Sequence, residues 1–118
     1  MKIDVLGTKY TIKRVNKGQD DYMDKMGLSG YCDNNKKLIA ILNLKSLPDW
    51  ENEPERSILN QEKEAIRHEL IHAFLNESGL RWNSATYDKA WATNEEMVDW
   101  LAIQAPKMLK AFKDADCL

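Results

Sequence analysis

The sequence predicts an α+β fold, and three observations carry that prediction. Two stretches within the first 44 residues alternate polar and apolar side chains with the period of a strand. A long run of helix formers opens at Pro54 and closes on Gly79, and a second helical run opens at Thr93. With 118 residues, 43% of them hydrophobic, the chain is sized for one domain around one core. Residues 1–118 therefore read as a single unit: a small antiparallel sheet of two hairpins, packed on the long helix and the C-terminal helix.

The elements follow in order. "KIDVL" (2–6) alternates, and after Gly7-Thr8 the alternation resumes in "KYTIKRV", with Tyr10, Ile12 and Arg14 on one face. That is a hairpin with a short glycine-containing turn. "NKGQDDYMDKMGLSG" (16–30) is polar, acidic and punctuated by glycine, so it reads as a loop with room for one helical turn. "SGYCD", the turn "NNK" and "KLIAILNL" (37–44) form the second hairpin. In that last strand Ile39 and Ile41 point one way, and Leu38, Ala40, Leu42 and Leu44 the other. Apolar residues on both faces imply a strand covered on both sides or lying beside a cleft.

The connector "SLPDWENEPER" carries Pro48 and Pro54. Proline at a first-turn position with Glu53 and Glu55 beside it starts a helix expected to run from about Pro54 to Ser78, with Gly79 as a left-handed cap. Its apolar positions thicken toward the C-terminal half, which is expected to be buried nearly all round, whereas "NQEKE" reads as solvated. Residues 80–93 form a loop long enough to be functional. The last helix is expected to start at Thr93 and to kink or divide at Pro106.

Composition excludes several classes of function. Seventeen basic and 19 acidic residues give a net charge of −2 with no basic stripe, so nucleic acid is not an expected partner. The N-terminal "MKIDVLGTKY" is too polar for a signal peptide, and no apolar run approaches membrane-spanning length, which makes the cytoplasm the expected compartment. The two cysteines, Cys32 and Cys117, form neither a disulfide framework nor a zinc-knuckle spacing.

The chemistry is concentrated in "RHELIHAFLNESG" (67–79), which holds both histidines of the chain. On a helix His68 and His72 lie one turn apart on one face, where two imidazoles can meet a single tetrahedral cation. Glu69 projects one step further round, beside the open position of such a cation, where its carboxylate can take a proton from water. The plainer alternative is a pair of helix-face histidines hydrogen-bonded near the core. Against it stands the apolar half of the helix in which they sit, where unpaired imidazoles are costly.

Catalytic zinc needs a third protein ligand. There is no third histidine in the chain, and Glu77 on the same helix cannot fold back, so the candidates come from the loop or the last helix. Asp88, Glu95, Glu96 and Asp99 remain. Thr93 and Glu96 have the spacing of a capping box, which occupies Glu96 structurally. Glu95 shares a face with Val98, Asp99 and Ala102, the face expected to meet the metal helix. Asp99, four residues on, can accept a hydrogen bond from the outer nitrogen of a ligand histidine. For Glu95 and Asp99 the alternative is a pair of solvated carboxylates favoured by the helix dipole.

"HELIH" followed by "NEEMVD" resembles the zinc metallopeptidases called gluzincins, whose second motif reads N-E-x-x-x-D. The plan of a small sheet, a motif helix and a glutamate-bearing helix also resembles the short metallopeptidase-like proteins of phages and prophages, including the ImmA/IrrE group. The resemblance implies a minimal zincin-like fold and one Zn2+ held by His68, His72 and Glu95, with Glu69 as base and Asp99 orienting a histidine. Larger gluzincins add a histidine or tyrosine that steadies the oxyanion; here Tyr87, Arg81 and Tyr31 are the residues available for that task.

The expected function is that of a zinc-dependent endopeptidase acting on a peptide or protein substrate, with the peptide extended beside "KLIAILNL". The alternative is a catalytically silent, zinc-scaffolded regulatory or interaction module of phage or prophage origin. A third reading is a metal-free helical interaction protein. Trp82 and Trp91 bracket the loop between the motifs, either as a wall for substrate or as pins holding the loop to the core.

Overall fold

A computed structural model describes residues 1–83 and 91–118. Strands β1 (Lys2–Val5) and β2 (Thr8–Val15) pair antiparallel around a two-residue turn. Leu6 and Gly7 both take positive φ there, at 50° and 87°, the combination whose twist suits a tight hairpin. A short helix, α1 (Asp21–Met26), follows, capped by the Asp20 side chain and ended by Gly27 in the left-handed region. Strands β3 (Gly30–Asp33) and β4 (Leu38–Leu42) form the second antiparallel hairpin. Its turn is held by Asp33 Oδ1, which accepts from the amides of Asn35 and Lys36.

Both hairpins form where the turn residues place them, yet the sheet is mixed rather than antiparallel throughout. Its order is β1-β2-β4-β3, and β2 and β4 run parallel, Thr11 opposite Leu38 and Val15 opposite Leu42. The cause is the double-sided apolarity of β4, which earns it an interior position. Ile39 and Ile41 pack with Tyr10, Ile12 and Ala73 on one side of the sheet, while Ala40 and Leu42 pack with Met23, Leu44 and Ile58 on the other. Being central, β4 has no free edge, so no peptide can pair alongside it. The exposed edge on this side is β3.

Helix α2 (Glu55–Glu77) runs across the sheet and ends before Gly79, whose φ is 80°. It is not buried all round in its C-terminal half: Ala73 is fully covered, but Phe74 is 43% exposed, because the sheet and the last helix cover only two flanks. Nor is the N-terminal half simply solvated. Glu62, within "NQEKE", is buried; it accepts the amide of Leu44 at 3.1 Å and pairs with Arg14 at 2.6 Å. A carboxylate there closes the end of the sheet onto the helix.

Helix α3 (Glu95–Asp114) packs on α2 through Val98 and Ala102, and Arg67 Nε donates to the Ala102 carbonyl oxygen at 2.6 Å. Its cap is Asn94, whose side chain accepts from the Met97 amide at 2.9 Å. The expected Thr93–Glu96 capping box therefore gives way to a cap one residue later, since Thr93 closes a 3₁₀ turn over Trp91–Thr93. Pro106 lies inside α3 without dividing it. Among the described residues no helix is long and apolar enough to cross a membrane.

Candidate metal centre

His68 and His72 reach the cleft from successive turns of α2, with their ring nitrogens aimed at one point. Their Nε2 atoms stand 3.1 Å apart. From the start of α3, Glu95 brings one carboxylate oxygen to 3.1 Å from His68 Nε2 and the other to 3.3 Å from His72 Nε2. Three groups from two helices thus meet in a rough triangle, each ring nitrogen facing a different oxygen of the one carboxylate. Ligands about 2.0–2.1 Å from a tetrahedral zinc ion lie about 3.3 Å from one another, so the separations between these neighbouring groups are of the size such a site has.

The protonation logic also favours a cation. His68 Nδ1 lies 2.7 Å from Asp99 Oδ1, and a carboxylate can only accept, so Nδ1 carries a hydrogen. Burial lowers the pKa of His72, with the Glu95 carboxylate opposing that shift, so burial favours its neutral form. Where both Nε2 atoms present lone pairs, they and the carboxylate face one another across about 3 Å, a repulsive arrangement unless a proton or a metal ion lies between them. The donor set, two imidazoles and a carboxylate with a carboxylate-held ring nitrogen behind, fits zinc.

Glu69 stands apart from the triangle. His68, Glu69 and His72 offer one atom each within 4.8 Å of one another, but the Glu69 carboxylate comes no nearer than 4.0 Å to His68 Nε2. It is Glu95 that reaches contact distance with both rings, which leaves Glu69 beside the triangle rather than on it. Burial pushes the Glu69 carboxyl up to about 7; the charge of Glu95 adds to the shift and that of His68 opposes it. A carboxyl group poised there can accept and return a proton near neutral pH.

The cleft over this triangle has a volume of about 320 Å³. One wall is β3, through Gly30, Tyr31 and Cys32; the other is the segment from Ala92 to Glu95. Ladder phase shows what the wall offers. The Leu42 amide donates to the Ser29 carbonyl oxygen, so Ser29, Tyr31 and Asp33 turn their backbone groups toward β4, and Gly30 and Cys32 turn theirs outward.

Asn76 and Cys32 belong to the cleft although the sequence did not single them out for it. Asn76 continues the four-residue spacing of His68 and His72 along α2, and that spacing was the available signal. It is buried and accepts from Arg81 Nη1 at 3.2 Å, fixing the guanidinium at the end of the cleft. The Cys32 thiol is pushed up to about 12 by burial first and by Glu69 second, so it stays protonated and lies outside the ligand triangle. Cys117 is exposed at the other end of the molecule's last helix.

Of the three residues expected near an oxyanion, Arg81 lines the cleft. Tyr31 also lines it, but its hydroxyl donates to Asp20 Oδ2 at 2.7 Å, and burial together with that bond pushes its pKa up to about 12. Tyr87, like the ligand candidate Asp88, lies outside the described residues. So does the side chain of Trp82, whereas Trp91 is 58% exposed and faces a groove with Met97 and Trp100 on the outer side of the wall. Glu96 borders that same groove, away from the triangle. No protein-family model, curated protein or solved structure matches this chain.

Proposed function

We propose that this protein is a zinc-dependent peptidase in which His68, His72 and Glu95 hold the metal and Glu69 is the general base. The observation that carries the reading is the meeting of two Nε2 atoms 3.1 Å apart with one carboxylate whose two oxygens lie 3.1 and 3.3 Å from them, one to each ring, and a fourth group, the buried Glu69 carboxylate, beside them and not among them. A purely structural site has no use for that fourth group. The gluzincin resemblance of "HELIH" and "NEEMVD" points the same way.

Zinc held by His68, His72 and Glu95 would supply Lewis acidity toward the scissile carbonyl and water. The remaining work falls to the chain. Asp99 holds the hydrogen of His68 on Nδ1, which would leave Nε2 to bind a metal. Glu69 takes the proton from the attacking water and delivers it to the departing amine nitrogen. The outward amide and carbonyl groups of Gly30 and Cys32 pair with an extended peptide backbone, on β3 instead of the interior strand β4. Arg81, whose Nη1 donates to Asn76, places a cationic group at the end of the cleft.

The test is Glu69→Gln. The variant is expected to keep one equivalent of zinc and to lose cleavage of a peptide library that the parent protein digests. Undiminished cleavage by a metal-clean preparation of the variant sinks the mechanism. A second reading, a zinc-scaffolded interaction module, draws support from Tyr31, whose hydroxyl is engaged by Asp20 and so turned from oxyanion duty. It predicts bound zinc with no cleavage of any peptide by the parent protein.

A further inference from the structure

The chain has five glycines. Four of them, Gly7, Gly18, Gly27 and Gly79, take positive φ with open space where a side chain would stand, so backbone conformation accounts for them. Gly30 is of the other kind. Its backbone is that of an ordinary strand, but a Cβ there would lie 3.1 Å from Ile41 Cδ1, 3.3 Å from the Ala40 carbonyl oxygen and 3.3 Å from Glu69 Oε1. Glycine stands at this position for space, and one of the neighbours needing that space is the carboxylate assigned as base.

Glu69 is 7% exposed, and His68 Nε2 lies 4.0 Å from its carboxylate, beyond hydrogen-bonding distance. Contact therefore positions its carboxylate, with the bare strand at Gly30 on one side and the His68 ring on the other. An added methyl group would press on three neighbours of unequal stiffness. The Ala40 carbonyl belongs to the backbone of the central strand, and Ile41 is 2% exposed in the core. Of the two side-chain ends, Ile41 Cδ1 is packed in the core, whereas the Glu69 carboxylate borders an open cleft. It is the group that gives way.

We propose that Gly30 is a positioning residue for Glu69: the unsubstituted edge of β3 leaves the volume in which the carboxylate lies beside the His68–His72–Glu95 triangle. The effect on turnover rests on the peptidase reading, whereas the effect on geometry does not. The experiment is Gly30→Ala, loaded with zinc, its crystal structure set beside that of the parent protein, with zinc affinity and steady-state kinetics on a peptide from the library. Zinc affinity and the positions of His68, His72 and Glu95 are expected to hold while the Glu69 carboxylate shifts. The kcat should fall roughly ten- to hundredfold with KM unchanged, as expected when a reacting group is misplaced.

A Glu69 carboxylate in its original position overturns the inference, as does a loss confined to KM or to zinc affinity. Should Gly30→Ala fail to fold, Gly30→Ala with Ile41→Val removes the nearest clash at Cδ1 and retains the one with Glu69, and the same measurements apply. If the parent protein cleaves no peptide, the peptidase reading fails while the crystal structures still decide the role of Gly30.

Discussion

Asp99 reaches His68 Nδ1 at 2.7 Å from a side chain that is 60% exposed, so its role can be probed without disturbing the core. Asp99→Ala removes the acceptor that selects the ring tautomer, and zinc affinity should fall about 10- to 100-fold by competition with a chelator. An unchanged affinity would mean that the ring is oriented by packing alone. The two histidines and Glu69 were legible in the sequence because four-residue spacing on a helix is a local property. Gly30 was not, since its reason for being glycine is a carboxylate 39 positions away that only the packed helix brings to within 3.3 Å of its missing Cβ. The buried Glu62 was missed for the same kind of reason: its partners, Arg14 and the Leu44 amide, come from separate strands and turns.

Among the elements, α2 is pinned at its C-terminal end by Glu77, which accepts from Tyr10 at 2.7 Å and Thr8 at 3.0 Å and pairs with Lys37. The Lys37 and Tyr10 hydrogen bonds hold the Glu77 carboxyl below its ordinary value of 4.5, so ionised Glu77 contributes stability at neutral pH that is lost as pH falls through its folded pKa. Thermal melts should accordingly show a gap between the parent protein and Glu77→Gln at pH 7 that narrows below about pH 4.5, the unperturbed carboxyl value. A gap independent of pH would assign the effect to shape, not charge. At the start of α3 the Asn94 cap directly precedes Glu95, joining helix stability to the proposed metal ligand. Asn94→Ala should cost about 1 kcal/mol in denaturant unfolding, the usual worth of such a cap. The helix start was legible to within a residue; choosing between Thr93 and Asn94 required the 3₁₀ turn over Trp91–Thr93.

On the scale of the whole molecule, the candidate metal centre links α2 to α3 across the mouth of the cleft. An ion bound there and not to the unfolded chain stabilises the fold by mass action, about 2.7 kcal/mol at a free concentration a hundredfold above Kd. Calorimetry should show a Tm that climbs with added zinc and returns on chelation. His72→Ala should erase the rise. A Tm indifferent to zinc in the parent protein would leave the triangle without its metal and remove the basis for the peptidase reading. The sheet supplies the other half of the site, because the β2–β4 parallel pair puts β4 inside and leaves β3 as the strand bordering the cleft.

By itself the amino-acid sequence determined the α+β class, both hairpins, the long motif helix, the spacing of His68 and His72, and the placing of Glu95 and Asp99 on one face of the last helix. All of these depend on turn chemistry, periodicity and helix faces, which act over a few residues. Tertiary structure alone decided the parallel union of the hairpins, the edge position of β3, the cover over Glu62 and the closeness of Gly30 to Glu69. Those depend on which apolar surfaces meet, a contest among distant segments whose outcome no local pattern records.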